Sequence, residues 1–82
     1  MNSQQIAQMI RAGLPGADAN VKSDDNVHFE AVVVCAAFAG KRPVQRHQMV
    51  YASLKDAMAD RIHALAIKTY TPEEWERARQ TA

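Results

Sequence analysis

The stretch that decides the fold is Phe29-Glu30-Ala31-Val32-Val33-Val34-Cys35-Ala36-Ala37-Phe38, which Gly40 follows after one alanine. Its β-branched and aromatic side chains favour a strand, and such a continuous apolar run is typical of a strand covered by helices on at least one face. We therefore predict a strand over His28 to Phe38 that ends before Gly40. Cys35 lies inside this run, so we interpret its thiol as a small core hydrophobe rather than a nucleophile or ligand.

Upstream of the strand predicted over His28 to Phe38, the sequence predicts a helix and a short strand. Apolar residues recur at helical spacing behind Ser3, a candidate N-cap, and the pattern ends around Gly13. These apolar residues are Ile6, Met9, Ile10 and Leu14. A short strand is predicted from Ala17 to Lys22. The turn residues Ser23-Asp24-Asp25-Asn26 indicate a hairpin connection from it into the strand that begins at His28.

Downstream of Gly40, the sequence predicts two short helices. Pro43 suits the first position of a helix, because its missing N–H would have no partner there. Ser53 and Asp56 have an S-x-x-D spacing that resembles a capping box. We therefore expect a break near Ala52 and a second short helix after it.

The C-terminal part of the sequence predicts a strand and a closing helix. Side chains alternate from Ile62 to Tyr70, and those on one side are His63, Leu65, Ile67 and Thr69. Thr71-Pro72-Glu73-Glu74 is a strong helix start, with a threonine N-cap, proline first and glutamate third. Tyr70 and Trp75 flank this start and are expected to anchor the helix to the sheet. The predicted order of elements is αββααβα.

Composition limits the classes of protein that the chain can belong to. Its 82 residues include one cysteine and carry a formal net charge of +1. A lone thiol excludes an intramolecular disulfide and a thiolate metal site built by this chain alone. No G-x-S-x-G, P-loop or dinucleotide motif indicates an enzyme. We expect a single domain over residues 1–82 that is not an enzyme, has no signal peptide or membrane span, and lies in the cytoplasm.

The side chains able to coordinate a soft or borderline metal are Cys35, His28, His47 and His63. No two of them have a helical i, i+4 or a C-x-x-C spacing, so a closed zinc site is not expected. His28 and His63 each lie at the start of a predicted strand, and such strand ends can meet at one rim. Two imidazoles would supply about half of the four ligands of a two-iron cluster, and a thiol-bearing partner would supply the rest. Spacing alone favours the ordinary alternative, in which His28 is an exposed loop residue and His63 a hydrogen-bonded strand residue.

A basic segment, residues 41–55, follows the strand predicted over His28 to Phe38. Lys41, Arg42, Arg46 and Lys55 carry four positive charges, and no acid lies between them. Two short helices joined by a break outline a helix-turn-helix, which is the sequence argument for nucleic-acid binding. The near-neutral charge of the whole chain favours a solvated face or a protein-docking surface instead.

Four motifs occur in a specific order and spacing: F-x-G, R-H-x-x-V-Y, I-H-A-L and T-P-x-x-W. They lie in Phe38-Ala39-Gly40-Lys41, Arg46-His47-Gln48-Met49-Val50-Tyr51, Ile62-His63-Ala64-Leu65 and Thr69-Tyr70-Thr71-Pro72-Glu73-Glu74-Trp75. Together, and with Leu54, they resemble the BolA family over nearly the whole chain. The resemblance implies an α+β fold of the αββααβα class II KH-like type, with helices packed on a three-stranded mixed sheet.

The resemblance also implies an adaptor role. BolA-like proteins pair with monothiol glutaredoxins and share a [2Fe-2S] cluster with them, which supports cluster trafficking and iron homeostasis. The glutaredoxin supplies a cysteine and bound glutathione. The family's C-terminal histidine ligand falls on His63. Its loop ligand, which is cysteine in some members and histidine in others, falls on His28.

The remaining candidate residues are assigned to docking. Lys41, Arg42, Arg46 and His47 are expected to contact a partner or nucleic acid. The resemblance implies one alternative function, a DNA-binding stress-response transcriptional regulator that uses the helix-turn-helix region. The charge balance ranks this alternative second. Without its partner, the chain is expected to be a monomer or a weak homodimer.

Overall fold

The computed structural model describes residues 2–55 and 64–81. The elements are helix α1 (Ser3–Gly13), strands β1 (Asp18–Lys22) and β2 (Phe29–Val34), a 3-10 turn (Ala36–Phe38), helix α2 (Pro43–Leu54), strand β3 (Leu65–Tyr70) and helix α3 (Pro72–Thr81). This order matches the predicted one, except for the predicted second middle helix: its expected start at Ser53 lies inside α2, and residues 56–63 lie outside the described residues. No helix within the described ranges is both long and apolar enough to cross a membrane.

The three strands form one mixed sheet in the order β1-β2-β3. β1 pairs with β2 antiparallel, with Ala19 opposite Val33. β2 pairs with β3 in parallel, with Phe29 opposite Leu65. The strand predicted over His28 to Phe38 is therefore the middle strand of the sheet, and the α+β class is confirmed. Because β2 and β3 are parallel, their starting ends lie side by side at one edge of the sheet.

One face of the sheet forms the core with the inner faces of α1 and α2. Burial alternates along β2, where Phe29, Ala31 and Val33 are buried, while Glu30 on the other face is exposed. The largest fully buried side chains are Phe29, Phe38, Ile6, Ile10, Leu54, Val33 and Val50. The prediction that helices cover β2 on at least one face is confirmed.

β2 is shorter than predicted. It ends at Val34, and the residues from Ala36 to Phe38 form the 3-10 turn instead of continuing the strand. The reason lies in its neighbours. Asp18, the first residue of β1, is opposite Val34, and the Cys35 amide donates to the carbonyl oxygen of Tyr70, the last residue of β3. Beyond Cys35 neither neighbouring strand offers a backbone partner, so the chain turns.

The N-cap of α1 was predicted one residue too late. Asn2 is the cap: its side-chain oxygen accepts from the Gln5 amide, and the Gln5 side chain accepts from the Asn2 amide, both at 2.9 Å. This reciprocal pair is a capping box. The amides of Gln5 and Ile6, which a Ser3 cap would bind, donate instead to the side chain and the carbonyl of Asn2, so Ser3 becomes the first helical residue.

The predicted break near Ala52 is placed too early in the chain. α2 continues through Ala52 to Leu54, and Lys55 ends it with a positive φ of 52°. Ser53 is buried inside the helix, where its hydroxyl donates to the Val50 carbonyl rather than starting a new helix. A Cβ added to Gly13 of α1 would lie 2.7 Å from the Ser53 Cα. The two helices thus approach closely at a pair of small residues. Asp56, the other half of the predicted capping box, lies outside the described residues.

The predicted start of α3 is confirmed. Thr71 Oγ1 accepts from the Glu74 amide at 3.2 Å, and Glu74 Oε1 accepts from the Thr71 amide at 2.8 Å. The rings of Tyr70 and Trp75 are 5.2 Å apart between centroids. Trp75 borders the outer face of the sheet beside Val32 and Val34. The two aromatic residues therefore join α3 to the sheet as expected.

Candidate functional site

The loop between β1 and β2 is held by a network of side-chain hydrogen bonds. Asp25 Oδ1 accepts from the amides of Val27 and His28, both at 2.9 Å. Ser23 Oγ donates to the His28 carbonyl at 2.6 Å and accepts from the amide of Asn26, which has a positive φ of 57°. The turn predicted here is confirmed, and its bonds converge on His28.

The same aspartate holds the His28 ring. Asp25 Oδ2 lies 3.0 Å from His28 Nδ1. The hydrogen bonds from the His28 amide, the His28 ring and the Val27 amide hold the pKa of Asp25 well below its usual range. An ionised carboxylate can only accept a hydrogen bond, so this contact favours the His28 tautomer with its proton on Nδ1. The His28 side chain is 76% exposed, which leaves Nε2 accessible.

From the sequence, Asp25 is expected only to be a turn residue. Its contact with the His28 ring was missed, although an Asp-x-x-His spacing in a tight turn is a usable signal. The turn places residues 25 and 28 on the same side of the loop, so that one carboxylate reaches both the backbone amides and the imidazole.

His28 borders an open cleft of about 520 Å³ at the starting end of β2 and β3. Ala64 and Leu65 line the other side of the cleft. This follows from the parallel register, in which Phe29 is opposite Leu65, so that the residues before each strand come to the same edge. His63 lies outside the described residues, and its pairing with His28 stays a prediction.

The other two candidate ligands are placed differently. Cys35 is only 3% exposed and belongs to the core, as predicted. It follows the far end of β2, roughly 20 Å along the strand from His28. His47 is half-buried on α2. Within residues 2–55 and 64–81, no three His, Cys, Asp or Glu side chains form a group that could hold a metal ion.

Arg46 is engaged within the fold. Its guanidinium donates from Nη1 to Glu74 Oε1 at 2.6 Å and from Nη2 to Oε2 at 3.2 Å, and its Nε donates to the Lys41 carbonyl at 3.1 Å. The guanidinium carbon also lies 5.8 Å from the centre of the Phe38 ring. With only 11% of the side chain exposed, Arg46 joins α2 to the start of α3. Lys41 and Arg42, by contrast, are exposed.

The Arg46–Glu74 pair should make stability depend on pH in the acid range. The hydrogen bonds from Arg46, and then from the Thr71 amide, lower the pKa of Glu74 from 4.5 to about 2. The folded state therefore binds fewer protons than the unfolded state between these values. The stabilisation from Glu74 is fully present above pH 4.5 and is lost as the pH falls towards about 2.

We expect the Glu74→Gln variant to have a flatter stability profile than the wild type across this window. Urea denaturation at several pH values between 6 and 2.5 measures it, with the free energy of unfolding as the readout. Arg46→Gln serves as the partner control and should flatten the profile less, because the Thr71 amide still donates to Glu74. Asp25 titrates in both proteins, so its contribution cancels in the comparison. Parallel profiles for the wild type and Glu74→Gln would contradict this assignment.

Comparison with known proteins identifies related chains. The family model described as BolA-like protein matches residues 7–74. A DNA-binding transcriptional regulator BolA from Vibrio cholerae is 49% identical over 61 residues, which cover 74% of this chain and 58% of that protein. The chain therefore matches less than two thirds of the length of the Vibrio protein.

Two further relatives match over almost their full length. The acid stress protein IbaG of Escherichia coli is 38% identical over 81 residues, which cover 98% of this chain and 95% of that protein. The solved structure of a BolA protein homologue from Coxiella burnetii superimposes with a TM-score of 0.81 and 42% identity, covering 93% of this chain and 97% of the other. Sequence and fold thus agree on the same group of proteins.

Proposed function

The chain belongs to the BolA family, and on that basis we propose that it is an iron-sulfur adaptor rather than an enzyme. Its role would be to share a [2Fe-2S] cluster with a monothiol glutaredoxin and so to support cluster trafficking, cluster assembly and iron homeostasis. The observation that carries the proposal is the exposed imidazole of His28, whose ring is held by Asp25 with Nε2 left accessible.

The supply of ligands favours a shared cluster. A two-iron cluster needs four ligands, usually thiolates, and histidine can replace cysteine on one iron. The single cysteine of this chain, Cys35, is buried in the core. His28 and His63 would therefore supply two ligands, and the glutaredoxin cysteine and bound glutathione would supply the other two.

Two features of the cleft support the choice of these histidines. His28 borders it, and so does Ala64, the residue that follows His63 in the sequence.

Neutral imidazole carries no charge, so exchanging thiolates for His28 and His63 makes a bound cluster less negative. The reduction potential of the shared form should accordingly lie above that of an all-thiolate cluster.

The exposed surface at the start of α2 suits a protein partner. Lys41 and Arg42 are exposed, and Val44 beside them is an exposed large hydrophobic residue at 61%. Arginine is enriched at protein interfaces, whose apolar core is surrounded by a polar rim. We assign this surface to glutaredoxin docking, with His47 on the same helix. Arg46 would contribute indirectly, since its guanidinium is already paired with Glu74.

Visible circular dichroism tests the proposal. The protein is mixed with a cluster-loaded monothiol glutaredoxin, and the spectrum is recorded during titration to a one-to-one ratio. Replacing thiolates by imidazoles changes the environment of the iron, so we expect a new spectrum that saturates at that ratio. A spectrum equal to the sum of the separate proteins would contradict the shared cluster.

A DNA-binding transcriptional regulator in the stress response is the second candidate. It is favoured by the names of its relatives, which include DNA-binding transcriptional regulator BolA and acid stress protein IbaG. The exposed Lys41 and Arg42 could contact phosphates, and such binding would weaken steeply with salt. A gel shift that detects no duplex binding at low salt would exclude this candidate.

A further inference from the structure

We propose that Asp25 is a positioning residue that fixes the tautomer and direction of the His28 ring, so that Nε2 is the nitrogen presented to iron. This inference rests on the proposed function and assigns a role to a residue outside the ligand set. Its basis is that one oxygen of the Asp25 carboxylate binds backbone amides while the other contacts the His28 ring.

The two oxygens of Asp25 bind different parts of the loop. Oδ1 accepts from the amides of Val27 and His28, both at 2.9 Å, and so fixes the direction of the carboxylate. Oδ2 is then aimed at His28 Nδ1, 3.0 Å away. Because Ser23 Oγ also binds the His28 carbonyl at 2.6 Å, the backbone and the ring of His28 are held together.

The chemistry of the pair selects one tautomer. A neutral imidazole carries one proton, on either ring nitrogen, and the nitrogen without it has the lone pair that binds a metal. The carboxylate of Asp25 accepts but does not donate, so it keeps the proton on Nδ1 and the lone pair on Nε2. Histidine ligands commonly donate their second nitrogen to a carboxylate, and loss of that partner costs about 10- to 100-fold in metal affinity.

The Asp25→Asn variant separates the loop role from the ring role. Its amide oxygen can still accept from the two backbone amides, which keeps the loop closed. The amide nitrogen then faces His28 Nδ1 and donates to it, which moves the ring proton to Nε2 and blocks the lone pair. Asp24→Asn is the matched control, since this neighbouring acid is exposed and is not the one that holds the ring.

Nitrogen-15 NMR of the imidazole in the metal-free protein is the first measurement, made at a pH where His28 is neutral. We expect the Nδ1–H tautomer in the wild type and in Asp24→Asn, and the Nε2–H tautomer in Asp25→Asn. The Nε2–H tautomer in the wild type would overturn the inference. Urea denaturation of all three proteins checks that the variants remain folded.

The second measurement is the affinity for cluster-loaded glutaredoxin, followed by visible circular dichroism. We expect the Asp25→Asn complex to be about 10- to 100-fold weaker and the Asp24→Asn complex to be unchanged. Equal affinities for Asp25→Asn and the wild type would overturn the positioning role. If the wild type shows the Nδ1–H tautomer but forms no complex with cluster-loaded glutaredoxin, the proposed function and the ligand role of His28 are both wrong. The hydrogen bond between Asp25 and His28 Nδ1 would still be supported by that tautomer.

Discussion

The His63→Ala variant is expected to lose the shared-cluster spectrum when it is mixed with cluster-loaded glutaredoxin. Removing a direct ligand should cost more than removing an outer partner of a ligand, for which losses of about 10- to 100-fold are usual. We therefore expect the affinity for the cluster-bearing partner to fall by more than about 100-fold. Visible circular dichroism at a range of protein concentrations measures the loss, and His28→Ala should behave in the same way.

The matched control is His47→Ala. His47 lies half-buried on α2 and belongs to the proposed docking surface rather than to the cleft. Its loss should weaken docking at most modestly and should leave the shape of the spectrum unchanged. If His63→Ala formed the complex with wild-type affinity and colour, the chain would be a docking module without a ligand role, and the basic surface alone would explain glutaredoxin binding.

Local patterns predicted much of the fold because local bonds decide those elements. The β-branched run of β2 and the capping box of α3 depend on residues within a few positions of each other. The end of β2 could not be predicted from its own composition. Val34 is the last strand residue because β1 begins opposite it, and that pairing is a property of the whole sheet.

The prediction that placed the break near Ala52, inside α2, failed for a similar reason. Ser53 and Asp56 have a capping spacing, but Ser53 packs against Gly13 of α1, forty residues earlier in the sequence. A small residue is needed there for the helices to approach, and serine meets its hydrogen-bonding need by donating back to Val50. Tertiary packing thus explains the residue that the sequence pattern assigned to a cap.

The residues of the candidate site likewise include some that the sequence identifies and some whose contacts only the structure shows. His63 lies in a motif that resembles the BolA family, whereas His28 lies in none of the four motifs and was matched to the family's loop ligand by its place before β2. The pairing of Arg46 with Glu74, which lie 28 residues apart, has no local signal. From the sequence, Arg46 is expected to be one of the docking cations, whereas in the structure its guanidinium is paired with Glu74. The exposed charge of the basic segment therefore rests on Lys41, Arg42 and Lys55.

Phe38 connects this ion pair to the core. Its side chain is fully buried, its ring lies beneath the Arg46 guanidinium, and its carbonyl accepts from the Lys41 amide at 3.0 Å. The 3-10 turn that ends in Phe38 thus fixes where the basic segment leaves the sheet. Core packing at this position should support the docking surface as well as the fold.

The Phe38→Ala variant is therefore expected to lose about 3–5 kcal/mol of the free energy of unfolding, since a buried phenylalanine leaves a cavity when truncated. A chain of this length has roughly 4–12 kcal/mol in total, so the variant should be partly unfolded at 37 °C. Phe38→Leu fills most of the space and should cost less than about 1.5 kcal/mol. Urea denaturation monitored by circular dichroism compares the two. Similar midpoints for both variants would mean that the packed volume of Phe38 contributes little, and that its contact with Arg46, which both substitutions remove, matters more.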